Sequence, residues 1–128
     1  MSPNIKDNDK YIKDLIVKEL NLTYLNLPID AIDTKNNLYQ IKSCQDKITD
    51  FSASRHERHG RFEFKPSDFI LSNLIFIFIV KFKTYYLICL MPNHIFAEKF
   101  GMPHLVTYMH VLNYAKDSVK KIELKQEK

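Results

Sequence analysis

The sequence has little of what marks several common classes of active site. Its 128 residues include only two glycines, so a glycine-rich loop that cradles phosphate is absent. It has neither the Gly-x-Ser-x-Gly elbow of serine hydrolases nor the His-Glu-x-x-His helix of zinc proteases. No internal repeat or low-complexity segment is visible. The chemistry must therefore come from side chains that are not carried by one of these motifs.

Cysteine and long apolar segments are also scarce. Cys44 and Cys89 are the only cysteines, which argues against a disulfide scaffold and for a reducing, cytoplasmic location. The first ten residues are polar and charged and lack the apolar core of a signal peptide. The most apolar stretch, residues 69–90, contains Lys81 and Lys83, so we expect two buried strands and no membrane span.

The composition predicts one folded domain with a basic surface. Hydrophobic residues make up 45% of the chain and aromatic residues 12%, enough for a substantial core. We expect a single domain over residues 1–128, with residues 1–8 and 125–128 flexible. The formal net charge of +4 favours an anionic partner.

The hydrophobic pattern predicts an α/β fold with a mixed central sheet flanked by helices. Residues 9–20 have helical periodicity, and residues 61–65 alternate polar and aromatic side chains as a half-buried strand does. Residues 74–80 and 85–90 are almost uninterrupted apolar runs, which are typical of strands with both sheet faces covered. Helical spacing from Tyr108 to Ile122 predicts a C-terminal helix, and a short strand remains open over residues 105–109.

A predicted β-hairpin carries the strongest candidate site. Its two strands flank the polar turn of residues 34–37. Gln40 and Lys42 alternate along one strand and share a face, and the hairpin brings Asp30 alongside them. A carboxylate, an amide oxygen and an ammonium at one point suit Mg²⁺ and a phosphate. Asp33, next to the turn, fits a turn role better than a ligand role.

This arrangement resembles the PD-(D/E)XK nuclease superfamily. The resemblance implies a restriction-endonuclease-like core, in which Asp30, Gln40 and the Ile41 carbonyl hold Mg²⁺, with Mn²⁺ as a substitute. Lys42 then orients water or stabilises charge. Gln40 stands where most members carry an acid, and a minority carry glutamine. Many members act as homodimers, so the resemblance also implies a homodimer.

Glu19 is a further candidate for this site. It falls on the apolar side of the predicted helix, where an acid is unusual. In several relatives an early helical glutamate points toward the metal, which would make Glu19 an assisting catalytic residue. The alternative is that Glu19 ends the helix and reaches water.

After the hairpin, residues 44–54 are polar and predict a loop. A dense cationic cluster comes next, directly before the strand of residues 61–65, which we expect to neighbour the Gln-x-Lys strand. We assign DNA-backbone contact to Arg55, Arg58, His59, Arg61 and Lys65, because arginine donates to phosphate through two parallel hydrogen bonds. The alternative is a solvated loop. Cys44 with His56 and His59 offers three zinc ligands without an obvious fourth, which disfavours a structural zinc site.

These features together predict a Mg²⁺-dependent DNA endonuclease that hydrolyses phosphodiester bonds. The competing hypothesis is a nuclease-fold module that binds DNA or joins a complex without catalysis. Gln40 keeps that alternative open, because a neutral amide binds Mg²⁺ more weakly than a carboxylate does.

Overall fold

The computed structural model describes residues 5–25, 29–45, 60–71, 73–82 and 84–123, and of residues 5–10 it describes only the backbone. It opens with helix α1, Ile5–Glu19, which begins four residues before the predicted start at Asp9. Ile12 and Ile16, one helical turn apart, are buried, as the periodicity predicts.

Six of the strands described form one mixed sheet. They are β1 Thr23–Tyr24, β2 Ala31–Ile32, β3 Leu38–Gln45, β5 Leu74–Lys81, β6 Tyr85–Pro92 and β8 Lys120–Glu123. Their order in the sheet is β1-β2-β3-β5-β6-β8. β3 and β5 are parallel, and the other neighbours are antiparallel. β4, Arg61–Glu63, and β7, Leu105–Thr107, form a separate antiparallel pair. α2 spans Asn93–Phe100 and α3 spans Tyr108–Ala115.

The predicted α/β class with a mixed central sheet is confirmed, and both faces of the sheet are covered. α1 packs on the face that carries Ile77 and Ile79. The opposite face, which we call the phenylalanine face, carries Phe76 and Phe78 and packs against β4, α2 and α3. Among the described residues, no helix combines the length and the apolar character needed to cross a bilayer.

Aromatic rings fill the core under the phenylalanine face. Phe64, just after β4, lies 4.8 Å from Phe96 of α2 and 5.5 Å from Phe76 of β5, measured between ring centroids. Phe62 lies 4.7 Å from Phe78. The predicted burial of Phe62 and Phe64 is confirmed, at 1% and 2% exposed. These closely packed rings lie against the sheet face from which the even-numbered residues of β3 project.

Three predicted elements differ from the structure. The C-terminal helix ends at Ala115, because Lys116 adopts a positive φ of 43°, and Ile122 lies in β8, paired with Tyr86 at the free edge of β6. β3 continues through Cys44 to Gln45, where we expected a loop, because it pairs with β5 along its whole length. We expected β4 to be a sheet neighbour of β3, but its backbone pairs with β7 instead.

Gly60 explains how β4 still comes close to β3. A Cβ at this position would lie 2.5 Å from the Gln45 carbonyl oxygen and 3.0 Å from Cys44 Sγ. Any larger residue would therefore push the start of β4 away from the end of β3. The absence of a side chain at residue 60 lets the β4–β7 pair pack directly over the end of the strand that carries Gln40 and Lys42.

Candidate active site

The turn between β2 and β3 is fixed by Asp33. Its carboxylate accepts hydrogen bonds from the backbone N–H groups of Lys35 and Asn37, at 2.8 and 2.9 Å, and from the Tyr39 hydroxyl at 3.0 Å. Burial acts to raise the pKa of Asp33, but these bonds outweigh it and hold the pKa below its usual value. Burial, followed by the bond to Asp33, raises the pKa of Tyr39 to about 12. Asp33 is thus a turn residue, as its position predicts.

Asp30 lies against β3, as the hairpin predicts. Its Oδ2 accepts a hydrogen bond from the Ile41 backbone N–H at 2.7 Å, and its own N–H donates to the Tyr39 carbonyl at 3.2 Å. β2 pairs only with the first two residues of β3, so Asp30 sits at the point where this pairing ends. In a strand, the N–H and C=O of one residue point to the same edge. The Ile41 carbonyl therefore points toward the edge that Asp30 occupies.

Gln40 and Lys42 project from the phenylalanine face, as strand alternation requires. Lys42 Nζ lies 5.2 Å from the centroid of the Phe64 ring. It also donates a hydrogen bond to Asp68 Oδ2 at 2.8 Å, and the two side chains are only 13% and 9% exposed. The ammonium is therefore held by a carboxylate beside it and an aromatic ring below it.

Asp68 is a residue of this cluster that sequence reasoning missed. It lies in a 3-10 turn, Pro66–Phe69, and its Oδ2 also accepts the Lys65 backbone N–H at 2.7 Å. Asn93, at the start of α2, donates from Nδ2 to the backbone carbonyls of Asp68 and Leu71, at 3.3 and 3.0 Å. The available signal was an acid directly before the apolar run that starts at Phe69, but its pairing with a lysine 26 residues earlier depends on tertiary structure.

A shallow pocket of about 300 Å³ opens beside this ion pair. Gln40, Ser67 and Asp68 supply its polar wall. Apolar side chains form the rest of the lining, namely Ile29, Ile70, Leu71 and Leu74. The pocket therefore places the Gln40 side chain and Asp68 in one wall, and Ile29, the residue before Asp30 in the chain, also lines it.

The remaining predicted site residues lie apart or outside the described part of the chain. Glu19 is exposed at the last residue of α1, whose buried side packs on the sheet face opposite to Gln40 and Lys42. Among the described residues, none forms a hydrogen bond or an ion pair with the Glu19 side chain. Arg61 and Lys65 are exposed on and just after β4. Arg55, Arg58, His56 and His59 lie outside the described residues.

The cysteines have no part in this site. Cys89 is buried in β6, and burial raises the pKa of its thiol to about 12. Neither cysteine forms a disulfide. Cys44 is half-buried in β3, and the two histidines weighed with it as zinc ligands lie outside the described residues.

Within the described ranges, no group of three or more histidine, cysteine or acidic side chains is arranged to hold a metal ion. The arrangement around β3 offers a different donor set: one carboxylate from Asp30, the Gln40 amide oxygen and the Ile41 carbonyl. Such hard oxygens fit Mg²⁺, which keeps several waters and takes few protein ligands. Comparison with protein-family models, with curated proteins and with solved structures found no match.

Proposed function

We propose that this protein is a divalent-metal-dependent endonuclease that hydrolyses phosphodiester bonds in DNA, with a core like that of the PD-(D/E)XK nucleases. The observation that supports this most is the 2.7 Å hydrogen bond from the Ile41 N–H to Asp30. It puts the acid of the hairpin against the Gln-x-Lys strand, at the edge toward which the Ile41 carbonyl points. Hydrolysis of this kind needs these groups at one place.

In this proposal Asp30, Gln40 and the Ile41 carbonyl hold Mg²⁺, or Mn²⁺ in its place. These groups would hold the cation, and the chemistry that it would supply there is polarisation of a phosphate oxygen and a lowered pKa for a bound water. Asp30 is oriented for this by its bond to Ile41, which occupies Oδ2. None of the described residues donates a hydrogen bond to Oδ1, so that oxygen is available to a ligand.

Lys42 has the second role in this proposal. Its ammonium is held over the Phe64 ring and beside Asp68, so it is already in place when negative charge develops on the phosphate. A fixed positive charge in a partly dry site stabilises such charge without reorganisation. The strand position of Lys42, next but one to Gln40, puts it on the same face as the proposed amide ligand.

DNA is the proposed partner of the basic segment. Arg61 and Lys65 are exposed, while Phe62 and Phe64 between them are buried in the core. Their charges therefore lie on a rigid support, and Gly60 keeps the start of this support against the end of β3. Contacts of this kind bind the phosphate backbone regardless of sequence.

We also propose a homodimer and a cytoplasmic location.

A second candidate function is a DNA-binding or complex-forming module without catalysis. The contacts inside the site favour it: Asp68 holds Lys42, and the Ile41 N–H holds one oxygen of Asp30. Gln40, a neutral amide, adds no charge to the site. A site in which these groups satisfy one another is also what a structural role would produce.

A nicking assay on the intact chain separates the two functions. Supercoiled, branched and single-stranded DNA are incubated with Mg²⁺, with Mn²⁺ and with EDTA. We expect metal-dependent cleavage by the wild type, its loss in Asp30→Asn and Lys42→Ala, and its retention in the matched surface variants Asp117→Asn and Lys18→Ala. Circular dichroism checks that each variant is folded. DNA binding without cleavage under every condition would support the second candidate and reject the first.

A further inference from the structure

Asp68 has the contacts of a site residue rather than of a surface acid. Its side chain is 9% exposed. Both of its side-chain hydrogen bonds end on Oδ2, one from Lys42 Nζ and one from the Lys65 backbone N–H. Among the described residues none donates to Oδ1, and Asp68 lines the same pocket as Gln40. One oxygen is thus committed to the protein and the other is available to a ligand.

The charges around β3 show why a second acid matters. Asp30 carries one negative charge and Lys42 one positive charge, so these two alone sum to zero. A site of zero net charge attracts a divalent cation poorly. Asp68 makes the group net negative while leaving the ammonium in place. Asp68, Gln40 and Ile29 line one pocket, and Ile29 directly precedes Asp30 in the chain.

Stability alone does not account for the buried pair. Removing two charges from water costs several kcal/mol per ion, and a well-packed apolar pair is often at least as stable. Phe64, Phe69 and Phe76 already supply an apolar surface here. Asn93 at the start of α2 also holds the Asp68 carbonyl in place. These contacts fix the position of a carboxylate in a site where the strand supplies only an amide.

We propose that Asp68 is the second acidic ligand of the divalent-cation site and supplies the carboxylate that is missing at Gln40. This inference rests on the proposed function, because it concerns the same cation. Oδ1 of Asp68 would then serve the cation or one of its waters, while Oδ2 holds Lys42. The ligand set would contain two carboxylates, one from the β2–β3 hairpin and one from the turn before β5.

Calorimetric titration of the intact chain with MnCl₂ and MgCl₂, without DNA, tests this directly. We expect Asp68→Asn to weaken Mn²⁺ binding at least about tenfold, a reduction typical of altered metal sites. Asp30→Asn should weaken it similarly, and Asp117→Asn, an exposed control on the 3-10 turn after α3, should not. The double variant Gln40→Glu/Asp68→Asn should recover much of the affinity, because residue 40 of β3 then supplies the carboxylate that residue 68 has lost.

Asp68→Asn keeps a side-chain oxygen that can accept the Lys65 N–H. Thermal unfolding of this variant checks that it is folded. If Asp68→Asn does not fold, Lys42→Met replaces it as the test: with Lys42 gone, the cation no longer competes with an ammonium, so affinity should rise. Wild-type affinity in the folded Asp68→Asn, or no rise in Lys42→Met, overturns the inference. In that case a reduced affinity in Asp30→Asn leaves the proposed function standing. Absence of Mn²⁺ binding by the wild type overturns both.

Discussion

Lys42 Nζ lies 2.8 Å from Asp68 Oδ2, and this ion pair joins the Gln-x-Lys strand to the turn that precedes β5. The pair rests on Phe64, whose ring is packed among the phenylalanines of β5 and α2. The Phe64 ring and the Asp68 carboxylate therefore fix the position of the ammonium. Removal of either partner should affect both the stability of the fold and the chemistry of the site.

The first prediction separates these two effects. Lys42→Met should lower the free energy of unfolding by about 2–4 kcal/mol, because Asp68 is left nearly buried without a countercharge. Asp68→Leu should be similarly costly, and the double variant Lys42→Met/Asp68→Leu should recover most of the stability without any cleavage activity. Urea unfolding of all four proteins gives the coupling energy.

The exposed pair Lys121–Glu123 is the matched control for this cycle. Its atoms are 3.5 Å apart and its side chains are 51% and 75% exposed. The same cycle there should give a coupling energy below about 1 kcal/mol. A coupling energy for Lys42 and Asp68 as small as the control's would show that the buried ion pair does not form in solution.

Local pattern was sufficient to predict part of this architecture. The alternation of Phe62 and Phe64, the apolar runs of β5 and β6, and the turn at Asp33 each depend on a few neighbouring residues. Ile122 shows where local pattern fails: its helical spacing is genuine, but the free edge of β6 pairs with it as a strand. Asp68 was missed for the same reason, since its partner is distant in sequence and only the packing of Phe64 and Asn93 brings the two together.

Gln40 is the subject of the second prediction. Gln40→Glu should tighten Mg²⁺ binding, because it adds a negative charge at nearly constant shape beside Asp68 in the same pocket. Gln40→Leu should weaken binding, since it removes the amide oxygen. Calorimetry on the wild type and both variants measures the affinities, and the nicking assay measures the rates. Equal affinities for all three proteins would show that residue 40 is not a ligand.

The third prediction concerns the basic surface next to the site. Arg61→Gln/Lys65→Gln should weaken DNA binding, and it should reduce the slope of log K against log salt by about one for each phosphate that the variant no longer neutralises. The matched control is Lys18→Gln/Lys120→Gln, which removes the same charge from exposed positions on α1 and β8. Fluorescence anisotropy between low and moderate salt supplies both slopes. Identical slopes for the two double variants would indicate that β4 has no special role in DNA binding.

The last prediction uses the bond between Tyr39 and Asp33 as a probe of the hairpin. The pKa of Tyr39 is raised from 10.0 to about 12, by burial and then by its bond to the Asp33 carboxylate and the charge of that group. The folded state therefore favours the neutral phenol. This contribution to stability is complete below pH 10, where the unfolded tyrosine is also neutral, and it disappears as the pH rises from 10 to about 12.

Urea unfolding of the wild type and Tyr39→Phe at pH 8 and pH 11 tests this sign. The wild type should lose more stability than the variant between the two pH values, because only the wild type has a phenol at residue 39 that the folded state keeps protonated. Cys89 also has a raised pKa, but it is present in both proteins, so its effect cancels in the difference. Absorbance titration should show one fewer tyrosine ionising near pH 12 in the variant. Parallel pH dependences for the two proteins would mean that Tyr39 is not held by Asp33, and that the turn that positions Asp30 against β3 is looser than the structure indicates.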